Sequence, residues 1–267
     1  MRLIKESEAS LEPLSGKTVA VLGYGNQGRA QGLSLRDSGI SVIVGNRDDD
    51  YRRQAEADGF DVHEIAEAAR AGDVLLVLTT DESQPLIWDE QIAPGIQAGN
   101  TLVWASGYNV GYDLIRPPKD VDVVMVAPRM TGAMVRTLYE HGKGAIAQFA
   151  VDQDASGQAR QTALALCKGV GLTRGGVFES SFREEAELDL FAERGIDAPD
   201  GEYAKCVDPN YARFTVPSGP GKLDVDRLVA HIRERSDALY RVKGFVHRDS
   251  ESMYLDYSSS GLTLTPG

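Results

Sequence analysis

Short unbroken apolar runs alternate with stretches of helical period through the first two thirds of the chain. "KTVAVLGYG" is an apolar run ending in glycines, "NQGRAQGLSLRDSG" spaces its apolar residues as a helix and stops at Gly39, and "SVIVGNR" is apolar again. Runs of this kind, rich in Val, Ile and Leu and bounded by turn residues, read as strands buried on both faces. "RRQAEADG" and "HEIAEAARAG" continue as helices, "DVLLVLTT", "TLVWAS" and "DVVMVAPR" as strands, and "GAIAQFAVD" as one strand more. From Ala155 to Glu193 the pattern turns helical. Buried strands separated by helices predict an α/β fold, a doubly wound parallel (Rossmann) sheet.

The pattern changes near residue 195. "GIDAPDGEYAKCVDPN" has no period and is rich in Gly, Asp and Pro, so residues 196–207 read as a linker. Beyond it come a strand at "ARFTV", a helix at "LDVDRLVAHIRERS" and strands at "ALYRVKGFV", "SMYLDY" and "GLTLT". The expected organisation is a dinucleotide-binding domain over 1–195 and a small α+β domain over 208–267, near the lower size for independent folding.

Composition narrows the partners. A net charge of −12 with no basic run repels a polyphosphate backbone, which argues against nucleic acid. Cys167 and Cys206 are the only cysteines and show no metal-binding spacing, which suits a reducing compartment. The N-terminus lacks a signal-like apolar stretch, and no apolar run approaches the roughly 18 residues a spanning helix needs. The expectation is a cytoplasmic protein that takes a small-molecule substrate and no membrane.

Gly23, Gly25 and Gly28 form GxGxxG between a strand and a helix. Gly23 allows the tight turn, Gly25 lets backbone approach a pyrophosphate, and Gly28 lets helix and strand pack closely. The expected cradle takes in Tyr24, Asn26 and Gln27 within the turn and Thr80 after the "DVLLVLTT" strand. About 20 residues beyond Gly28, where an acid would accept from the ribose hydroxyls of NAD, stand Asp48 to Asp50. Arg47, Arg52 and Arg53 flank them and could stack on adenine or pair with a 2′-phosphate. NAD(H) is therefore preferred over NADP(H), with NADP(H) kept open.

"GKTVAVLGYGNQGRAQGLSLRDSG", "DESQ", "RPPKDVDVVMVAPR", "VDQDASGQARQTALALCKGVG" and "TRGGVFESSFREEAELDLFAE" together resemble the N-terminal domain of ketol-acid reductoisomerases over roughly residues 1–195. These enzymes isomerise and reduce acetohydroxy acids with Mg²⁺ and NAD(P)H. The resemblance implies that Asp189 and Glu193 match magnesium-ligating carboxylates, four apart on one helix face. It also implies that Arg47 lies against adenine and that an acid at Asp50 goes with NADH. It further implies a homodimer, since the family completes its sites across subunits.

The sequence departs from the family in three places. The family's "HGFN" is "SGYN" here, so Ser106 stands where a catalytic histidine would be. Its "APKGPGH" is "APRMTGA", with Arg129 for lysine and Ala133 for histidine. Its knotted helical C-terminal domain has no counterpart; residues 223 onward instead resemble, faintly, the C-terminal domain of CobW-like proteins, without any GTPase P-loop. The expected chemistry is reduction of a small oxo acid or imine without the isomerase step, with Arg129, Ser106 and Tyr108 as catalytic candidates. A non-catalytic dinucleotide sensor and a true reductoisomerase with its metal site completed across a dimer are the alternatives. His63, His141, His231 and His247 are expected on helices or turns as surface or capping groups, and Asp154 as a helix cap.

Overall fold

A computed structural model describes residues 3–186 and the backbone of 242–248, 251–258 and 261–266. Contacts divide the chain between Asp189 and Leu190 into two units. In the first, strands β1 (Leu3–Ile4), β2 (Thr18–Leu22), β3 (Ser41–Gly45), β4 (Asp61–His63), β5 (Val74–Val77), β6 (Thr101–Trp104), β7 (Asp122–Pro128), β8 (Ala147–Gln153) and β9 (Val177–Glu179) form one sheet. Its order is β1-β9-β8-β7-β6-β5-β2-β3-β4. The six strands β2 to β7 are mutually parallel, and their order reverses between β3 and β5, on either side of β2. This is the Rossmann arrangement, with its ligand crevice at the strand C-termini beside β2.

Helices α1 (Asn26–Asp37), α2 (Asp50–Ala57), α3 (Ile65–Ala71), α4 (Gln84–Ile87), α5 (Tyr108–Gly111), α6 (Gly132–Glu140) and α7 (Ala159–Gly169) accompany the sheet, and residues 182–186 are helical. The alternation within each strand sorts the core into two layers. Val19, Val21, Val74, Leu76, Val103, Val124 and Val126 pack with Leu35 of α1 and Leu166 of α7 on one face. Ala20, Leu22, Leu75, Val77, Leu102 and Met125 pack with Ala68 of α3 and Trp104 on the other.

Four details depart from the sequence expectation. The sheet is mixed, because β8 runs antiparallel to β7. The cause is α6: it does not run back along the sheet, and the chain re-enters β8 where β7 finished, pairing Pro128 with Ala147 and joining Arg129 N to Ile146 O at 2.9 Å. Second, the stretch expected to be helical after Ala155 contains strand β9, which pairs with β8 and β1. Third, the short strands β1 and β4 and helix α6 were not marked by period. Fourth, His63 ends strand β4 and His247 lies on a strand rather than on helices or turns.

In the second unit, β10 (Val242–Arg248), β11 (Glu251–Ser258) and β12 (Gly261–Pro266) form an antiparallel meander, pairing Val242 with Tyr257 and Tyr254 with Thr265. These three match the last three expected strands. The expected linker over 196–207, the "ARFTV" strand, the following helix and His231 lie outside the described residues.

Candidate functional site

The strand C-termini carry five loops to one edge of the sheet: residues 23–28, 46–50, 78–84, 105–109 and 129–132. The first is the glycine turn. Gly23 has φ +98°, in the left-handed region that favours glycine, and a Cβ there would meet Thr79 at 2.8 Å. A Cβ on Gly28 would collide with the Gly23 carbonyl oxygen, so the helix sits against the turn as closely as the backbone allows. Gly25 differs: a Cβ there meets nothing within 4 Å. Gly25 is also the N-cap of α1, and no side chain caps that end. The helix thus presents uncapped N–H groups and its positive dipole end to open space, the arrangement that holds a pyrophosphate. A dinucleotide fits this cradle.

Three side chains of the turn are committed to protein. Tyr24 is 1% exposed, packs edge-on against Phe60 and donates its hydroxyl to Asp58 Oδ2 at 2.9 Å. Burial first, then the bond and charge of Asp58, raise its phenol far above the usual range. Only the backbone of Tyr24 can therefore reach a cofactor. Gln27 donates from Nε2 to the Met130 carbonyl at 2.9 Å and accepts at Oε1 from Gln31 at 3.2 Å. Asn26 Oδ1 accepts from Gly132 N at 2.5 Å. Both reach away from the turn, toward residues 129–132.

The turn after β3 is organised by Asn46, which sequence reading passed over. Its buried Oδ1 accepts from Tyr24 N at 2.9 Å, and its Nδ2 donates to Arg47 O and Asp49 Oδ1 at 2.8 Å each. Asp49 caps α2, accepting from the amides of Tyr51 and Arg52, and pairs with Arg47 Nε at 2.8 Å. Partial burial pushes the Asp49 carboxyl up, but the bonds from Arg47, the two amides and Asn46 together outweigh it and leave it below the usual range. Asp48 and Asp50 point into solvent and share Arg53, at 3.6 and 2.5 Å. Each of Arg47 and Arg53 therefore faces a carboxylate.

Thr80 lies just past β5, its carbonyl accepting from the amides of Ser83 and Gln84. Gln84, buried, ties this loop to the next. Its Oε1 accepts from Trp104 Nε1 at 3.0 Å and Asn109 Nδ2 at 2.9 Å, and its Nε2 donates to Thr79 O at 2.9 Å. The hydroxyl of Thr79 and Oδ1 of Asn109 are buried without a hydrogen-bond partner among the described residues.

Ser106 and Tyr108 follow β6. The Ser106 Oγ accepts from Tyr108 N at 3.2 Å, and the exposed Tyr108 ring lies 5.3 Å from that of Tyr112. Beneath them the start of the 182–186 helix is fixed by a reciprocal cap: Ser181 N donates to Glu184 and Glu184 N to Ser181 Oγ, each at 3.1 Å. That start is pressed so close that a Cβ on Gly107 would strike the Phe182 backbone. Glu185, 2% exposed, accepts from Gly107 N at 2.6 Å and from Arg129 Nη1 at 3.0 Å. Arg129 therefore holds an internal carboxylate. Glu185 carries no motif of its own; only its place in a helix directed at Gly107 reveals it.

Asp189 and Glu193 lie outside the described residues, and among those described no group of three His, Cys, Asp or Glu is placed to hold a metal. Of the histidines, His141 ends α6 with Nδ1 2.7 Å from Thr137 O, and His63 pairs with Asp61 at 3.0 Å. Asp154 Oδ1 accepts from Ala159 N at 3.0 Å, capping α7. No described helix is long and apolar enough to cross a membrane.

Residues 13–176 match the model of the NADPH-binding domain of acetohydroxy acid isomeroreductases, another name for ketol-acid reductoisomerases. A ketol-acid reductoisomerase (NADP(+)) of Pyrobaculum aerophilum is 53% identical over 194 residues, which cover 72% of this chain and 59% of that protein. One of Pyrobaculum neutrophilum is 50% identical over 196 residues, 73% of this chain and 60% of that protein. The chain thus spans about three fifths of the length of these relatives. The structure of an NADH-preferring ketol-acid reductoisomerase from an uncultured archean is similar with TM-score 0.72 and 40% identity, covering 73% of this chain and 60% of that one. A semialdehyde dehydrogenase NAD-binding protein from Cupriavidus necator, at TM-score 0.55 and 16% identity over 65% of this chain and 66% of that one, shares the fold alone. The chain belongs to the ketol-acid reductoisomerase family, whose NADPH-binding domain its residues 13–176 match.

Proposed function

We propose that this chain is an NAD(P)H-dependent reductase that reduces a small oxo acid or imine without the isomerase step of its relatives. The observation that carries the reading is the open, uncapped N-terminus of α1 at Gly25, on the same edge of the sheet as the loops of Ser106, Tyr108 and Arg129 that follow β6 and β7. A bound dihydronicotinamide supplies the hydride; the protein must hold the acceptor carbon beside it and deliver a proton to the oxygen or nitrogen. Ser106 suits the second task, since its Oγ accepts from Tyr108 N and keeps its own proton to donate. The Tyr108 hydroxyl is the second donor. Arg129, fixed by Glu185, supplies positive charge near the developing anion.

The departures at Ser106, Arg129 and Ala133 support a chemistry other than the relatives' own. NADH is the preferred cofactor in this reading. The carboxylates at Asp48 and Asp50 repel a 2′-phosphate, and the guanidinium groups that would attract one already face carboxylates. Mg²⁺ at Asp189 and Glu193, a homodimer and a cytoplasmic location belong to the proposal on family resemblance alone.

Turnover decides it. Purified full-length protein with NADH and a panel of 2-oxo acids and cyclic imines should consume the cofactor with at least one acceptor. Tight NADH binding with no acceptor reduced would overturn the reading in favour of a non-catalytic sensor. Mg²⁺-dependent conversion of acetolactate would instead make the chain a true reductoisomerase.

A further inference from the structure

The two polar side chains inside the glycine turn are both bonded to protein. Gln27 spends both its polar atoms on protein, donating to the Met130 carbonyl and accepting from Gln31. Asn26 Oδ1 takes the Gly132 amide, at 2.5 Å, the amide of the first residue of α6. The loop also sits against α1 as closely as backbone allows, since a Cβ on Gly132 would collide with the Asn26 carbonyl. The strapped segment begins at Arg129, whose guanidinium continues to Glu185 and, through it, to Gly107 beside Ser106. Hydrogen bonds joined by the backbone of residues 129–132 therefore connect the first turn of α1 to both loops on the substrate side.

We propose that Asn26 and Gln27 are positioning residues: they hold the Arg129–Gly132 loop, and with it Arg129, in register with the bound dinucleotide. Their backbone N–H groups remain part of the helix N-terminus, while their side chains serve the reaction side. The proposal deepens the reductase reading and rests on it for its kinetic consequence. Its structural half, that the two side chains order residues 129–132, stands without any turnover.

The test has a kinetic and a cofactor-free arm. At saturating NADH, Asn26→Ala and Gln27→Ala should each lower kcat for the reduced acceptor by about tenfold, the loss of one positioning hydrogen bond. Their NADH dissociation constants should stay within about threefold of the parent, because the phosphate-facing backbone is untouched. The reverse split, weakened NADH binding with kcat kept at saturation, would make them direct cofactor ligands and overturn the proposal. In the second arm, amide hydrogen exchange of the cofactor-free protein should show Gly132 exchanging about tenfold faster in Asn26→Ala. Asn26→Asp, which keeps the acceptor oxygen, should restore its protection. Unchanged exchange at Gly132 in Asn26→Ala would overturn the proposal even if no acceptor is ever reduced. Gln27→Glu, which removes the donor and keeps the shape, should loosen residues 129–132 in the same way and serves if Asn26→Ala does not fold.

Discussion

Arg129 Nη1 lies 3.0 Å from Oε1 of Glu185, a carboxylate whose other oxygen accepts from Gly107 N at 2.6 Å. One buried acid thus joins the loops after β6 and β7. Removing Arg129 takes a charged donor from a carboxylate almost wholly shielded from water, which costs more than the pair itself contributes. Arg129→Ala should destabilise the protein by about 2 kcal/mol and Arg129→Lys by about half as much, a single ammonium replacing the planar donor. Urea unfolding of the three proteins measures the difference. Equal stability in all three would mean that Glu185 is satisfied without Arg129.

The Tyr24–Asp58 contact sets an acid limit on stability. The Arg29 bond to Asp58 holds its carboxyl below the usual carboxylate range against the opposing effect of burial, with further help from Tyr24 and Gln54. A carboxyl lowered in the folded state contributes stability above its unfolded pKa of about 3.9, and loses it as pH falls through the folded value. Stability should therefore fall as pH drops below about 4, and Asp58→Asn should flatten that part of the profile. Tyr24→Phe should cost about 1 kcal/mol at neutral pH, the net worth of one hydrogen bond. Thermal melts across pH 2.5–7 on the three proteins, at about half-unit steps, check both.

Cofactor choice should follow the acids after β3. Asp48→Ser with Asp50→Ser removes both partners of Arg53 and two charges that repel a 2′-phosphate. The double variant should shift the ratio of NADPH to NADH affinity by about tenfold or more toward NADPH. Parallel titrations with the two cofactors read the ratio, and an unchanged ratio would remove these acids from the account.

Much of this architecture was written in the local pattern. β2, α1, β3, β5, β6 and β7 each had an apolar run or helical period long enough to read, and the glycines fixed where the first strand meets its helix. The three-residue strands β4 and β9 are too short to show a period and exist because a neighbouring strand offers its edge. The reversal of β8 depends on where α6 settles, a tertiary choice that the "GAIAQFAVD" run does not encode. The site divides the same way. Gly23, Gly25 and Gly28 act through backbone, so their motif was sufficient. Glu185 and Gln84 lie within stretches shared with the family, but they act through contacts 78 and 20 residues away in sequence, which the local pattern does not reveal. Asn26 and Gln27 lie inside the motif, and the bonds of their side chains to Gly132 and Met130 are tertiary contacts that the motif does not announce.

Gly28 and Gly25 should behave oppositely. A Cβ on Gly28 collides with the Gly23 carbonyl, so Gly28→Ala should destabilise the protein by about 2–3 kcal/mol, as overpacking does. Chemical denaturation gives that number directly, and a variant as stable as the parent would mean that α1 can retreat from the turn.

Gly25 supplies the most direct measurement, because a Cβ there meets nothing within 4 Å beyond its own chain neighbours and would stand in the space assigned to the pyrophosphate. NADH titration of the parent and of Gly25→Ala, with melting curves on both, isolates that space. The account predicts equal melting temperatures and an NADH affinity lower by at least about tenfold in the variant. NADH binding of equal strength in both, or no binding to the parent, would contradict it.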